Sequence, residues 1–207
     1  VLLITGGEQS LLAGHAWMFG VVMAVLTGIV VLGGIETSSA PLPEGLRVLA
    51  THEGRPLSDE LAAVNKPSQN LHAEMLLRRL GQRASGQGTA EAGLLAVREF
   101  LERIGAPLEG TDLRDGSGLS FADLVTPRLL TALLLHMQRH PHAETFMASL
   151  PVAGVDGTLK NRLKGTRAQG RVRAKTGAIS HVSTLAGHAT LRSGEPVVFA
   201  VMANHQS

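Results

Sequence analysis

The chain has no cysteine and no tyrosine, and aromatic residues make up only 3% of its 207 residues. Without cysteine there is no disulfide, no zinc–thiolate cluster and no thiol nucleophile. That is compatible with a periplasmic address and does not establish one. With so few aromatics, the core must be built from Leu, Val, Ala and Ile. Charged residues are scarce as well, at 17% with a net charge of +2, where a soluble domain carries about a quarter. No run of Lys or Arg is interleaved with aromatics, which argues against a nucleic-acid surface. The first residue is Val, and no basic segment followed by a short apolar stretch and a cleavage site is present. The chain therefore reads as cut from something longer.

What is present suits one domain, or a large piece of one, because 44% of the residues are hydrophobic. The uncharged run Met18–Ile35 is long enough to imitate a membrane span. Its glycines at 20, 28, 33 and 34 and its lack of flanking cations oppose that. The expectation is an apolar helix over 13–26, a turn, and a short strand over 29–32, with no membrane span. A loop over 36–45 and a strand over 47–52 follow. Ser58 is read as an N-cap for a helix ending near Asn65, before Pro67. A second helix spans about 71–80 and stops at Gly81. A third runs from a Thr89 cap to Ile104. Thr126 and Pro127 open a fourth, and 143–149 form a fifth. After Gly170 the period shortens to two. Strands are expected from 170–177, 182–191 and 197–203, with a hairpin turn at Arg192–Glu195. Helices in the middle and a terminal antiparallel meander give a segregated α+β class.

Two short motifs carry chemistry. Pro67 prevents a smooth helix through KPSQN (66–70), so Ser68 and Asn70 should lie side by side in a loop between two helices. The hydroxyl relays a proton, and the amide both donates and accepts. The plainer alternative is that Ser68 caps the following helix. In AKTGA (174–178), Lys175 supplies a fixed positive charge, Thr176 a hydroxyl, and Gly177 room for a substrate backbone. The plainer alternative is an edge-strand lysine that blocks aggregation. Ser-x-Asn followed far downstream by Lys-Thr-Gly is the order found in penicillin-recognising serine acyl-transferases.

Four longer stretches extend that order: PLSDELAAVNKPSQNLHAEMLLRRLG (56–81), DGSGLS (115–120), LPVAGVDGTLKNRLKGT (150–166) and GRVRAKTGAISHVSTLAGHA (170–189). On these the chain resembles the low-molecular-mass class C penicillin-binding proteins, D-alanyl-D-alanine carboxypeptidases and endopeptidases. The resemblance implies a partial β-lactamase/penicillin-binding-protein transpeptidase-like fold, a helical subdomain packed on an antiparallel sheet with the site in the cleft between them. It implies periplasmic action on peptidoglycan peptide stems through an acyl-serine that β-lactams trap, with no cofactor. By position, Ser68 matches the proton-shuttling serine, Asn70 the orienting amide and Lys175 the polarising lysine. Thr176 matches the carboxylate-binding hydroxyl, Gly177 the glycine that admits the peptide, and the N–H of Ala178 an oxyanion donor. Three positions depart from the family: Gln69 stands where Asp is frequent, Ala178 where Thr or Ser is usual, and Phe121 where Arg often follows DGSGLS.

The nucleophile motif of this family, Ser-x-x-Lys, is missing, since no Ser has Lys three positions later. Residues 1–207 are thus expected to be the C-terminal part of one such domain, inactive and of marginal stability by itself. A non-catalytic peptidoglycan-binding relic and a serine β-lactamase are the alternatives. Ser117 is read as turn chemistry and Glu74 as a salt-bridge residue. Asp156 is read as a turn that holds the strand before Lys175. His136, His140 and His142 are read as surface histidines rather than metal ligands, because no second ligand cluster accompanies them.

Overall fold

The computed structural model describes Leu2–Leu3 and residues 56–204. The expected elements at 13–26, 29–32, 36–45 and 47–52 lie outside the described residues. The order is β1 (Leu2–Leu3), α1 (Leu57–Asn65), α2 (Asn70–Ser85), α3 (Ala90–Arg103), α4 (Pro127–Gln138), α5 (Ala143–Ser149), a 3-10 turn (Gly157–Leu159), β2 (Val172–Ile179), β3 (Val182–Thr190) and β4 (Pro196–Asn204). The sheet order is β1-β4-β3-β2. β2, β3 and β4 form the expected antiparallel meander, and β1 joins β4 in parallel. This is an α+β architecture, with β2, at one edge of the sheet among the described residues, carrying Lys-Thr-Gly. No described helix is long and apolar enough to cross a membrane.

The helix caps follow from the local sequence. Thr89 accepts a hydrogen bond from the Ala92 N–H at 3.2 Å, and Thr126 from the Leu129 N–H at 3.2 Å. Two expectations need correction. Ser58 is not the cap of α1: the Pro56 carbonyl already accepts from the N–H groups of Asp59 and Glu60, so the helix opens at Leu57. Gly81 does not end α2, which continues to Ser85 and closes on left-handed Gly86. A Cβ at Gly81 would lie 2.7 Å from the Gly93 nitrogen, and one at Gly93 would lie 2.2 Å from the Leu77 carbonyl oxygen. These glycines let α2 and α3 touch backbone to backbone, which in sequence looks like a stop signal.

The main core joins Leu77, Leu80, Val97, Leu101, Leu129, Leu133 and Phe146 of the helices to Ala186, Val198 and Ala200 of the sheet. The small sheet residues leave space for leucines from above. Opposite residues on β2 and β3 share a face, and Lys175 is paired with Ala186. Lys175 therefore projects toward the helices. The three histidines are partly exposed and meet other rings: His136 lies 5.8 Å from the Phe100 ring, and His140 lies 5.8 Å from His136 and 5.4 Å from His142. Burial, then the neighbouring imidazoles, pushes His140 below the usual histidine range.

Candidate active site

Residues 66–70 form a tight connection between α1 and α2. The Gln69 N–H returns to the Val64 carbonyl at 2.9 Å, closing α1 with a wide turn. Ser68 takes a left-handed backbone, φ 63°, which costs an L-residue about 1–2 kcal/mol. It does not cap α2. Gln69 occupies that position, without a side-chain hydrogen bond. Instead the Lys175 Nζ donates to Ser68 Oγ at 2.7 Å, across 107 positions of sequence. Nζ also donates to the Thr176 carbonyl at 2.8 Å. Asn70 is the exposed first residue of α2, two positions from Ser68.

Lys175 is only 2% exposed, so it is not an edge lysine guarding against aggregation. Among the described residues no carboxylate lies within ion-pair distance of it. Its surroundings are a hydroxyl and a carbonyl, which solvate an ammonium less well than water does. Burial accordingly lowers its pKa from 10.5 to about 8. The neighbouring Thr176 donates to the Thr158 hydroxyl at 2.8 Å. Gly177 pairs with Thr184 and Ala178 with Ser183 on β3, placing both on the strand beyond the lysine.

Lys66, Thr158 and Asn65 carry no separate signal in the sequence. Lys66, one of only four lysines in the chain, pairs with Asp156 and donates to the Leu150 carbonyl at 3.4 Å. Asp156 also accepts from the Val152 N–H at 2.8 Å. Burial raises its pKa, but the hydrogen bonds from Lys66 and Val152 and the charges of Lys66 and Arg173 outweigh this and hold it below the ordinary carboxylate range. Thr158 donates its N–H to the Lys66 carbonyl at 2.9 Å. Asp156 is thus the expected turn residue and, beyond that, the tie between this loop and the Ser68 connection. Asn65 Nδ2 adds a buried bond to Ser149 Oγ at 2.9 Å. Glu74 receives the N–H groups of Gly116 and Ser117 at 2.7 and 2.9 Å and pairs with Arg78 at 3.0 Å. It docks the DGSG turn on α2. Ser117 stays inside that turn, its hydroxyl donating to Asp115 at 3.2 Å.

A D-alanyl-D-alanine carboxypeptidase of an Actinomadura species is 41% identical over 98% of this chain and 38% of its own length. The D-alanyl-D-alanine carboxypeptidase DacB of Haemophilus influenzae is 34% identical over 84% of the chain and 38% of its own length. The chain thus spans well under half of these relatives. Among solved structures, penicillin-binding protein 4 of H. influenzae in complex with a β-lactam superposes with a TM-score of 0.72 at 33% identity, covering 80% of this chain and 39% of that one. An extended-spectrum β-lactamase shares the fold at a TM-score of 0.64 and 18% identity, over 94% of this chain and 78% of its own. A model of the D-Ala-D-Ala carboxypeptidase 3 (S13) family matches residues 23–207, and the chain belongs to that family.

Proposed function

We propose that the chain is the C-terminal part of a penicillin-binding, transpeptidase-like domain. The intact domain cleaves D-alanyl-D-alanine ends or cross-links of peptidoglycan peptides, in the periplasm, through an acyl-serine. The observation that carries this reading is the 2.7 Å bond from Lys175 to Ser68. It brings the two motifs within hydrogen-bond reach of each other, as a proton shuttle requires.

In this reading Ser68 passes its hydroxyl hydrogen to the departing amine as the C–N bond breaks. It takes in return the hydrogen that the attacking hydroxyl released to its base. The buried ammonium of Lys175 lowers the cost of negative charge on Ser68 Oγ and draws the substrate carboxylate inward. Thr176 binds that carboxylate, Asn70 orients the peptide amide, Gly177 admits the peptide backbone, and the Ala178 N–H donates to the oxyanion. The nucleophile and its lysine base belong to a Ser-x-x-Lys outside these 207 residues, so the chain alone neither turns over peptide nor forms a penicilloyl adduct.

The test is labelling with a fluorescent penicillin. The intact protein should label and this chain should not. Ser68→Ala in the intact protein should slow acylation by about 10²–10⁴-fold. Covalent labelling of the 207-residue chain, or an unchanged rate in the Ser68 variant, would overturn the reading. Rapid nitrocefin turnover by the intact protein would favour a β-lactamase instead.

A further inference from the structure

We infer that Thr158 is a second carboxylate-binding hydroxyl of this site, supplying the contact that Ala178 lacks the oxygen to make. The inference rests on the functional reading above and extends it to a residue outside both motifs. The ligand class is the free α-carboxylate at the C-terminus of a peptide.

A carboxylate presents two oxygens and about four lone-pair sites. Thr176 offers one hydroxyl hydrogen. Lys175 already spends two of its three N–H bonds on Ser68 and on the Thr176 carbonyl. The next side chain along the strand is the methyl of Ala178. A carboxylate held here by Thr176 alone would leave an oxygen undersatisfied. Thr158 removes that deficit. Its Oγ1 lies 2.8 Å from Thr176 Oγ1 and accepts from it. Its own hydroxyl hydrogen has no acceptor among the described residues. Both threonines are half-buried, neither sealed in the core. On arrival of a carboxylate the bond between the hydroxyls is exchanged for two bonds, one from each threonine to each oxygen.

The position of Thr158 is built rather than incidental. Its N–H is fixed to the Lys66 carbonyl at 2.9 Å. Gly157 before it has φ 57°, and a Cβ there would fall 2.6 Å from the Lys66 carbonyl oxygen, so only glycine allows this approach. Asp156 before that is paired to the Lys66 ammonium and bonded to the Val152 N–H. Three consecutive residues, Asp-Gly-Thr, are therefore gripped by the residue two positions ahead of Ser68. The carboxylate hydroxyl and the shuttling hydroxyl hang on one rigid unit, which is how a site holds geometry to a fraction of an ångström.

The experiment uses the intact protein and two substrates, a peptide ending in D-Ala-D-Ala acid and the same peptide as its C-terminal amide. Active sites are counted by penicillin titration, so that misfolded molecules do not enter the rates. Thr158→Val keeps the shape and removes the hydroxyl. It should raise KM for the acid about tenfold, leave kcat within about twofold and leave the amide unchanged. Thr158→Ser should restore the acid preference, and Ala178→Thr added to Thr158→Val should recover most of it. An unchanged acid-to-amide ratio in Thr158→Val, beside a Thr176→Val control that loses it, would overturn this inference and leave the functional reading intact. A Thr176→Val variant with an unchanged ratio would sink the functional reading itself. Equal losses on acid and amide in Thr158→Val would reduce Thr158 to a structural role and also overturn the inference.

Discussion

Replacing Lys175 by Met should make this chain more stable at neutral pH. The lysine is 2% exposed and has a hydroxyl and a carbonyl for company, with no anion among the described residues. Its pKa falls from 10.5 in the unfolded chain to about 8 in the fold. At pH 7 the fold must therefore carry a charge that it disfavours, at a cost of about 3 kcal/mol. Methionine has similar length and no charge. It forfeits two hydrogen bonds, each worth about 1 kcal/mol net. The balance is a gain of about 1 kcal/mol at pH 7, together with loss of the proposed function.

The pH dependence is the sharper test. With the folded pKa depressed, the unfolded state binds the extra proton between about 8 and 10.5, so stability rises with pH across that window. Below about pH 8 the penalty is fully present, and above 10.5 it is gone. The chain has no tyrosine and no cysteine, so no phenol or thiol titrates in the same range. Urea unfolding followed by circular dichroism, from pH 6 to 10.5, should show a rising limb in the wild type that Lys175→Met flattens. A variant that is less stable at pH 7 and keeps the rising limb would refute the placement of this lysine in a dry, unpaired site.

Asp123 should shape the other side of that profile. It is 0% exposed, and burial, opposed by the Arg114 N–H and reinforced by Asp115, raises its pKa from 3.8 to about 8. Stability from this residue is complete below pH 3.8 and lost as pH climbs through about 8, so Asp123→Asn should level the falling limb in the same urea series. Gly93→Ala should cost about 1–3 kcal/mol, because its Cβ would meet the Leu77 carbonyl at 2.2 Å. A loss below a few tenths in urea unfolding would contradict the close helix contact. Thr89→Ala and Thr126→Ala should each cost about 1 kcal/mol and add independently, since the caps belong to different helices.

Much of this fold is legible in the sequence. Thr126-Pro127, Thr89 and the hairpin at 192–195 are local devices, and each sits where its chemistry requires. The pairing of Ser68 with Lys175 was reachable only because two motifs occur in a recognised order; nothing local to KPSQN points to a partner 107 residues away. Gly81 misled because a packing glycine and a terminating glycine look alike until the facing helix is seen. Ser58 misled because Pro56 offers a carbonyl cap that leaves no trace in side-chain preference. Lys66 and Thr158 were silent for a similar reason. Their roles run through backbone atoms and through a partner 90 residues off, in the case of the Lys66–Asp156 pair, and composition does not record such ties.

The wound-back backbone at Ser68 has one more implication. A glycine would occupy that conformation with ease, so random drift judged by foldability alone would tend to erase the hydroxyl there. The side chain sits in a place where its mere presence is a thermodynamic handicap, and the proposed proton relay supplies a lineage reason to keep it.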